Sequence, residues 1–169
     1  FFHLLYHIRF FFIFQTEAPA GSALPNEILV QNESGKNYLY VVLNGTNQVV
    51  KLDFAAKNRI WTSPVGVAPF GIAKANGKIY VTNWAGSVPD KNDLNVAGVP
   101  WGSAKVDPRT GATREGTVSV LDPATGKVLK EIVVGLHPND IITSADGKTV
   151  FVSNANSDNV STISTSTDE

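Results

Sequence analysis

The chain has 169 residues, 43% of them hydrophobic, with 14 Lys+Arg against 15 Asp+Glu for a formal net charge of −1. That length suits one domain or a piece of one, and the charge balance gives no electrostatic argument for nucleic acid or an acidic membrane surface. There is no cysteine, so disulfide stapling, thiolate catalysis and Cys-ligated metal are excluded.

Residues 1–23 differ in kind from the rest. Phe1 to Phe14 holds six of the nine Phe, with His3, His7 and Arg9 among them, and small residues follow from Ala18 to Ala23. An apolar stretch followed by small residues is signal-like, and a translated leader or a buried strand is the competing reading. It is too short and too interrupted for a stable membrane span, which takes about 20 apolar residues. The sequence has no Met, even at position 1, so a fragment of a longer product is expected.

Beyond it one segment occurs three times: Pro25-Asn26-Glu27-Ile28, Pro69-Phe70-Gly71-Ile72 and Pro138-Asn139-Asp140-Ile141. Each copy leads to Gly-Lys, at Gly35-Lys36, Gly77-Lys78 and Gly147-Lys148, and then to an aromatic-bearing run. Pro25 to Pro69 is 44 residues and Pro69 to Pro138 is 69; setting aside the 29 residues Ser87–Glu115 brings the second interval to about 40. A period of roughly 40–45 residues read as four short strands is what propeller units show. Helical repeats need apolar residues at i, i+3, i+4 and i+7, and no window past Phe14 has them.

The expected units are a first over 24–66, a second over 67–135 carrying an insertion at 87–115, and a partial third over 136–169. In the first, Tyr38 to Leu43, Val49 to Asp53 and Ile60 to Val65 read as strands by alternation. In the second, Phe70 to Ala75 turns at Asn76-Gly77 into Lys78 to Asn83. After the insertion, Thr117 to Leu121 turns through Asp122–Lys127 into Val128 to Val134. Val118 and Val120 alternate with small hydroxylated residues that let neighbouring sheets approach. The third unit offers Thr149 to Asn154 and Asn159 to Ile163 and then stops.

Tyr80-Val81-Thr82-Asn83, the run Gly116 to Val128, the junction Val134 to Ile141 and the hairpin Phe151 to Ser161 together resemble the YVTN-repeat β-propeller family. The likeness covers about Pro25 to Ser164. It implies an all-β chain, an incomplete β-propeller of about two and a half to three four-stranded antiparallel blades. More narrowly, the junction and the Asn-rich hairpin resemble secreted bacterial proteins in which the propeller precedes an alkaline-phosphatase-like phosphoesterase domain. On that likeness the location is extracytoplasmic, and the partner is a downstream phosphoesterase domain or an unknown ligand. Propeller families host unrelated activities, so the resemblance speaks to fold more than to function.

Two places could hold a site. The insertion is rich in Gly, Pro, Asp and Asn and carries Trp101, Lys105, Arg109 and Arg114, where a Trp beside cations could clamp an anionic or aromatic ligand. The alternative is a loop ordered by local packing, with a small hairpin at Asp107–Gly111. Asp90, Asp93 and Asn95 lack the spacing of a calcium loop, so no metal is expected. The second place is His137 with Asp140, since a His beside a carboxylate can act as base or ligand. The other units have Ala68 and Leu24 at that position, so a backbone-defining junction is the stronger expectation. Asn44, Asn83 and Asn154 end the second strands and read as turn formers.

No Gly-x-Ser-x-Gly, paired carboxylates or axial-ligand pair supports a hydrolase or a cofactor-holding oxidoreductase. The expectation is a non-catalytic module without cofactor, binding or scaffolding, and prone to aggregate through its unpaired faces and edge.

Overall fold

The computed structural model describes residues 23–99 and 102–169, and the signal-like segment lies almost wholly outside them. The described residues are all-β. The first sheet is β1 (Pro25–Glu33), β2 (Lys36–Leu43), β3 (Gln48–Asp53) and β4 (Asn58–Pro64), paired in that order and antiparallel throughout. Next come β5 (Pro69–Ala75) and β6 (Lys78–Asn83), then the hairpin of β7 (Val96–Val99) and β8 (Gly102–Lys105), then β9 (Gly116–Leu121) and β10 (Val128–Val134). The second sheet runs β5-β6-β9-β10, so the hairpin is looped out between its two middle strands. The third is β11 (Pro138–Thr143), β12 (Thr149–Asn154) and β13 (Asn159–Ser164). No described helix is long and apolar enough to cross a membrane.

The sheets lie side by side, with β5 against β1 on one side and β11 on the other. Side chains alternate along each strand, so one strand serves two seams. In β6, Ile79 and Val81 join Tyr40, Val42, Val49, Val65, Ile72 and Leu121 between the first and second sheets. Tyr80, between them in sequence, joins Val118, Val120, Ile141, Val150, Val152 and Ile163 between the second and third. The hydroxylated residues of β9 do more than save space. Thr117 and Ser119 accept hydrogen bonds from the buried Asn83 Nδ2 at 3.0 and 2.9 Å.

Asn83 and Asn154 do open turns, their carbonyls accepting from the Gly86 and Ser157 amides at 3.1 Å each, but their side chains are spent on the neighbouring strand. Asn154 Nδ2 donates to Asn159 Oδ1 and Ser161 Oγ, both at 2.8 Å. Asn44 stands one residue further along than those two and donates to the Pro69 carbonyl of the next unit at 3.0 Å. The Val-Gly pairs that close β4 and β10 follow from this packing. A Cβ on Gly66 would sit 2.5 Å from Asn83 Cγ, and one on Gly135 2.6 Å from Asn154 Cβ. Each junction then bends the same way. Leu24, Ala68 and His137, each preceding the repeat Pro, have φ of 44°, 53° and 53°. Proline disfavours the right-handed helical region for its predecessor, and the left-handed bend turns the chain into each new sheet.

Ion pairs reinforce the seams. Glu33, at the end of β1, accepts from Lys51 Nζ at 2.7 Å, Tyr40 Oη at 2.6 Å and Lys74 Nζ of the second sheet at 3.1 Å. Partial burial opposes ionisation of Glu33, but these three donors outweigh it and hold the carboxyl below its usual value. A carboxylate whose folded pKa is depressed adds stability that is present above its unfolded value and lost as pH falls through the folded one. Thermal melts should therefore drop as pH is lowered from about 4.5, and Glu33→Gln should flatten that drop. A variant with the wild-type acid profile would refute the role given to Glu33.

Candidate functional site

The insertion is not the structureless loop its composition suggests. The β7–β8 hairpin gives it a core, and Ala104 of β8 is fully buried with Val67, Ala68 and Ala85, beside Trp84. Beyond β8, Val106 bridges to Thr113, and Asp107 Oδ1 accepts from the amides of Arg109 (2.8 Å) and Thr110 (3.1 Å) to make the turn at Asp107–Gly111. Ser87 and Glu115 close the neck, with Ser87 Oγ donating to Glu115 Oε1 in a short hydrogen bond.

Lys105 points back into this neck, 3.3 Å from Glu115 Oε1 and 3.6 Å from Asp93 Oδ2. Burial lowers its pKa, but the two carboxylates more than offset that, so its charge is raised in stability and locally neutralised. Asp93 also accepts from the Asp90 amide at 2.8 Å, and Asp90 from the Asn92 amide at 2.6 Å. Those carboxylates cap their own turn. Arg109 reaches outward, 86% exposed, with Asp107 3.7 Å away as its ion-pair partner. Arg114 is exposed and its amide bonds the Lys105 carbonyl. Trp101 lies outside the described residues. The structure thus does not assemble Lys105, Arg109 and Arg114 into one cationic clamp.

His137 does not pair with Asp140. Its ring stacks on Trp84 with centroids 3.7 Å apart and 10° between planes, and Nε2 is 2.8 Å from Thr113 Oγ1. Partial burial lowers its pKa, which favours the neutral form of the ring. The stack ties the entry to the third sheet to the base and far end of the insertion. Asp140 is exposed and accepts from its neighbour's amide, Ile141, at 2.8 Å. Its charge is felt by Glu27 on β1: burial raises the Glu27 carboxyl most, the Ile72 amide opposes this, and Asp140 adds to it. The two acids, on β1 and β11, are thus close enough to feel each other's charge.

The insertion also presents aliphatic side chains. Leu94 is 90% exposed, Val88 59% and Val96 46%. Val88, Val96 and the half-buried Asp93 border an open cleft of about 370 Å³ that reaches Asn47 and Val67 at the junction below. None of these aliphatics stands out in the sequence, because single exposed aliphatics carry no pattern.

No protein-family model matches the sequence, and no curated protein matches it. Solved structures do. The chain is similar to a chain of Kuenenia stuttgartiensis hydrazine synthase, with a TM-score of 0.63 and 22% identity over 91% of this chain and 36% of that one. It is also similar to a 6-phosphogluconolactonase-like protein of Bacteroides fragilis, with a TM-score of 0.57 and 15% identity over 86% of this chain and 36% of that one. The chain therefore spans about a third of the length of each. At these identities the likeness is one of fold: all-β, built of antiparallel sheets like neighbours with β-propeller folds.

Proposed function

We propose that this chain is an incomplete propeller of about two and a half to three blades. In this reading it serves as a non-catalytic binding or scaffolding module of an extracytoplasmic bacterial protein. One observation carries the binding role. The insertion folds Lys105 inward onto Glu115 and Asp93 and leaves Val88 and Val96 exposed at the border of a cleft, with Leu94 of the same insertion exposed as well. Exposed apolar side chains at the mouth of a cleft are the kind of surface a partner covers. The groups that could do chemistry are engaged elsewhere: Lys105 by Glu115 and Asp93, and the His137 ring by Trp84 and Thr113. A general base acts through an atom within hydrogen-bond reach of the substrate's proton.

The YVTN kinship, the extracytoplasmic location and a phosphoesterase domain as partner belong to the same proposal and rest on the sequence resemblance. The purified chain should hydrolyse neither p-nitrophenyl phosphate nor a δ-lactone above the buffer rate. Turnover that disappears in His137→Ala or Asp140→Asn would overturn the non-catalytic reading. The coding sequence beyond Glu169 tests the phosphoesterase fusion directly.

A further inference from the structure

We infer that the cleft beside the insertion takes a cationic, aliphatic segment of a partner protein, a Lys side chain flanked by apolar residues. This rests on the proposed binding role and deepens it by giving the chemistry of what is bound. The sides of the cleft are aliphatic. Val67, 1% exposed, lies at its base, and Val88 and Val96 stand 59% and 46% exposed at its border. Its volume of about 370 Å³ is at the small end of ligand pockets, which suits one extended side chain rather than a folded element.

Charge selects the occupant. Asp90 and Asp93 border the cleft, and among the described residues no Lys or Arg does. Each carboxylate is fixed through one oxygen. Asp90 Oδ1 accepts from the Asn92 amide at 2.6 Å, and Asp93 Oδ2 from the Asp90 amide at 2.8 Å. The other oxygen of each takes no hydrogen bond among the described residues. Lys105 is 3.6 Å from Asp93 and 3.3 Å from Glu115, so one ammonium serves two carboxylates. Asp90 has no ion-pair partner among the described residues. Lys91, between them in sequence, is exposed and stands outside the lining.

A cleft with aliphatic sides and surplus carboxylate at its border fits a ligand of the converse pattern. A Lys side chain has it: the methylene stem lies along apolar surface while the ammonium stays at the wet rim. An acidic segment would meet like charge and be excluded. Leu94, 90% exposed between Asp93 and Val96 in sequence, offers a contact to an apolar residue flanking the Lys.

The probes are acetyl-Leu-Lys-Leu-amide and the same peptide with Gln or Glu at its centre, followed by saturation-transfer NMR against the full chain. The Lys peptide should bind with a Kd of about 1 mM, the Gln peptide about two- to fivefold more weakly, and the Glu peptide most weakly of the three. Asp90→Asn keeps an oxygen for the Asn92 amide and removes the charge. It should weaken the Lys peptide about two- to fivefold and leave the Gln peptide unchanged. Val88→Ser, at an exposed position, should weaken both, with unchanged far-UV circular dichroism showing that the fold is intact. A Gln peptide that binds as tightly as the Lys peptide, or a Lys peptide indifferent to Asp90→Asn, would overturn this inference and leave the cleft as an apolar partner surface. Absence of binding by every peptide, or binding indifferent to Val88→Ser, would overturn both this inference and the role given to the cleft.

Discussion

Tyr80→Ala will cost the chain about 3–5 kcal/mol of folding stability, the loss typical of deleting a buried aromatic side chain. Tyr80 is 0% exposed in the seam between the second and third sheets, among Ala73, Val118, Val150 and Val152. Its hydroxyl reaches across that seam to Asp168 Oδ1 at 2.7 Å, and Lys78 Nζ meets the same carboxylate at 2.6 Å. The ring and the hydroxyl can be separated. Tyr80→Phe keeps the packing and leaves Asp168 paired with Lys78, so it should cost only about 1 kcal/mol. Stability on the scale of 5–15 kcal/mol makes the first loss visible as a large drop in urea midpoint and the second as a small one. If Tyr80→Ala unfolded within 1 kcal/mol of wild type, the seam could not be what joins the sheets.

That prediction could be approached from sequence, because Tyr80 belongs to the repeat. Pro, Gly-Lys and the aromatic run recur at near-constant spacing, and short-range alternation then places each strand. Val118 and Val120 were readable as one face of β9 because they are two residues apart and a strand alternates at that period. The fold is legible to that extent because its determinants are local. What stayed hidden depends on partners far along the chain. Asn83 reads as a turn former beside its own strand end, yet its amide is held by Thr117 and Ser119, 34 and 36 residues on. His137 next to Asp140 reads as a base with its carboxylate, but the ring goes to Trp84 and Thr113.

The insertion shows the same limit. Its cations suggest a ligand clamp when counted, because counting cannot show which charges neutralise one another. Lys105 faces Glu115 and Asp93 only once β7 and β8 pair and bring the two ends of the insertion together. Leu94 and Val88, the side chains on which the binding proposal rests, could not be singled out from the sequence. An aliphatic residue in a loop is equally compatible with burial, and only the fold decides.

Gly116→Ala should destabilise the chain by about 3 kcal/mol or more, the upper range for overpacking, while Gly98→Ala should stay within about 0.5 kcal/mol of wild type. Both add one methyl group to a strand residue. At Gly98, in β7, the new Cβ meets nothing within 4 Å. At Gly116, where β9 leaves the neck of the insertion, it would fall inside van der Waals contact of the Gly135 carbonyl oxygen and the Pro138 ring. Neither obstacle is the free end of a flexible side chain. Relief requires the β10–β11 junction to move, and that junction sets the third sheet against the second. Much of the cost should therefore appear as loosening of the second seam, seen as faster hydrogen exchange at Ile141, Val150 and Val152 than at Tyr40, Val42 and Val49. Equal urea midpoints for the two variants would mean that the junction does not pack on the neck, and the side-by-side order of the sheets would have to be redrawn.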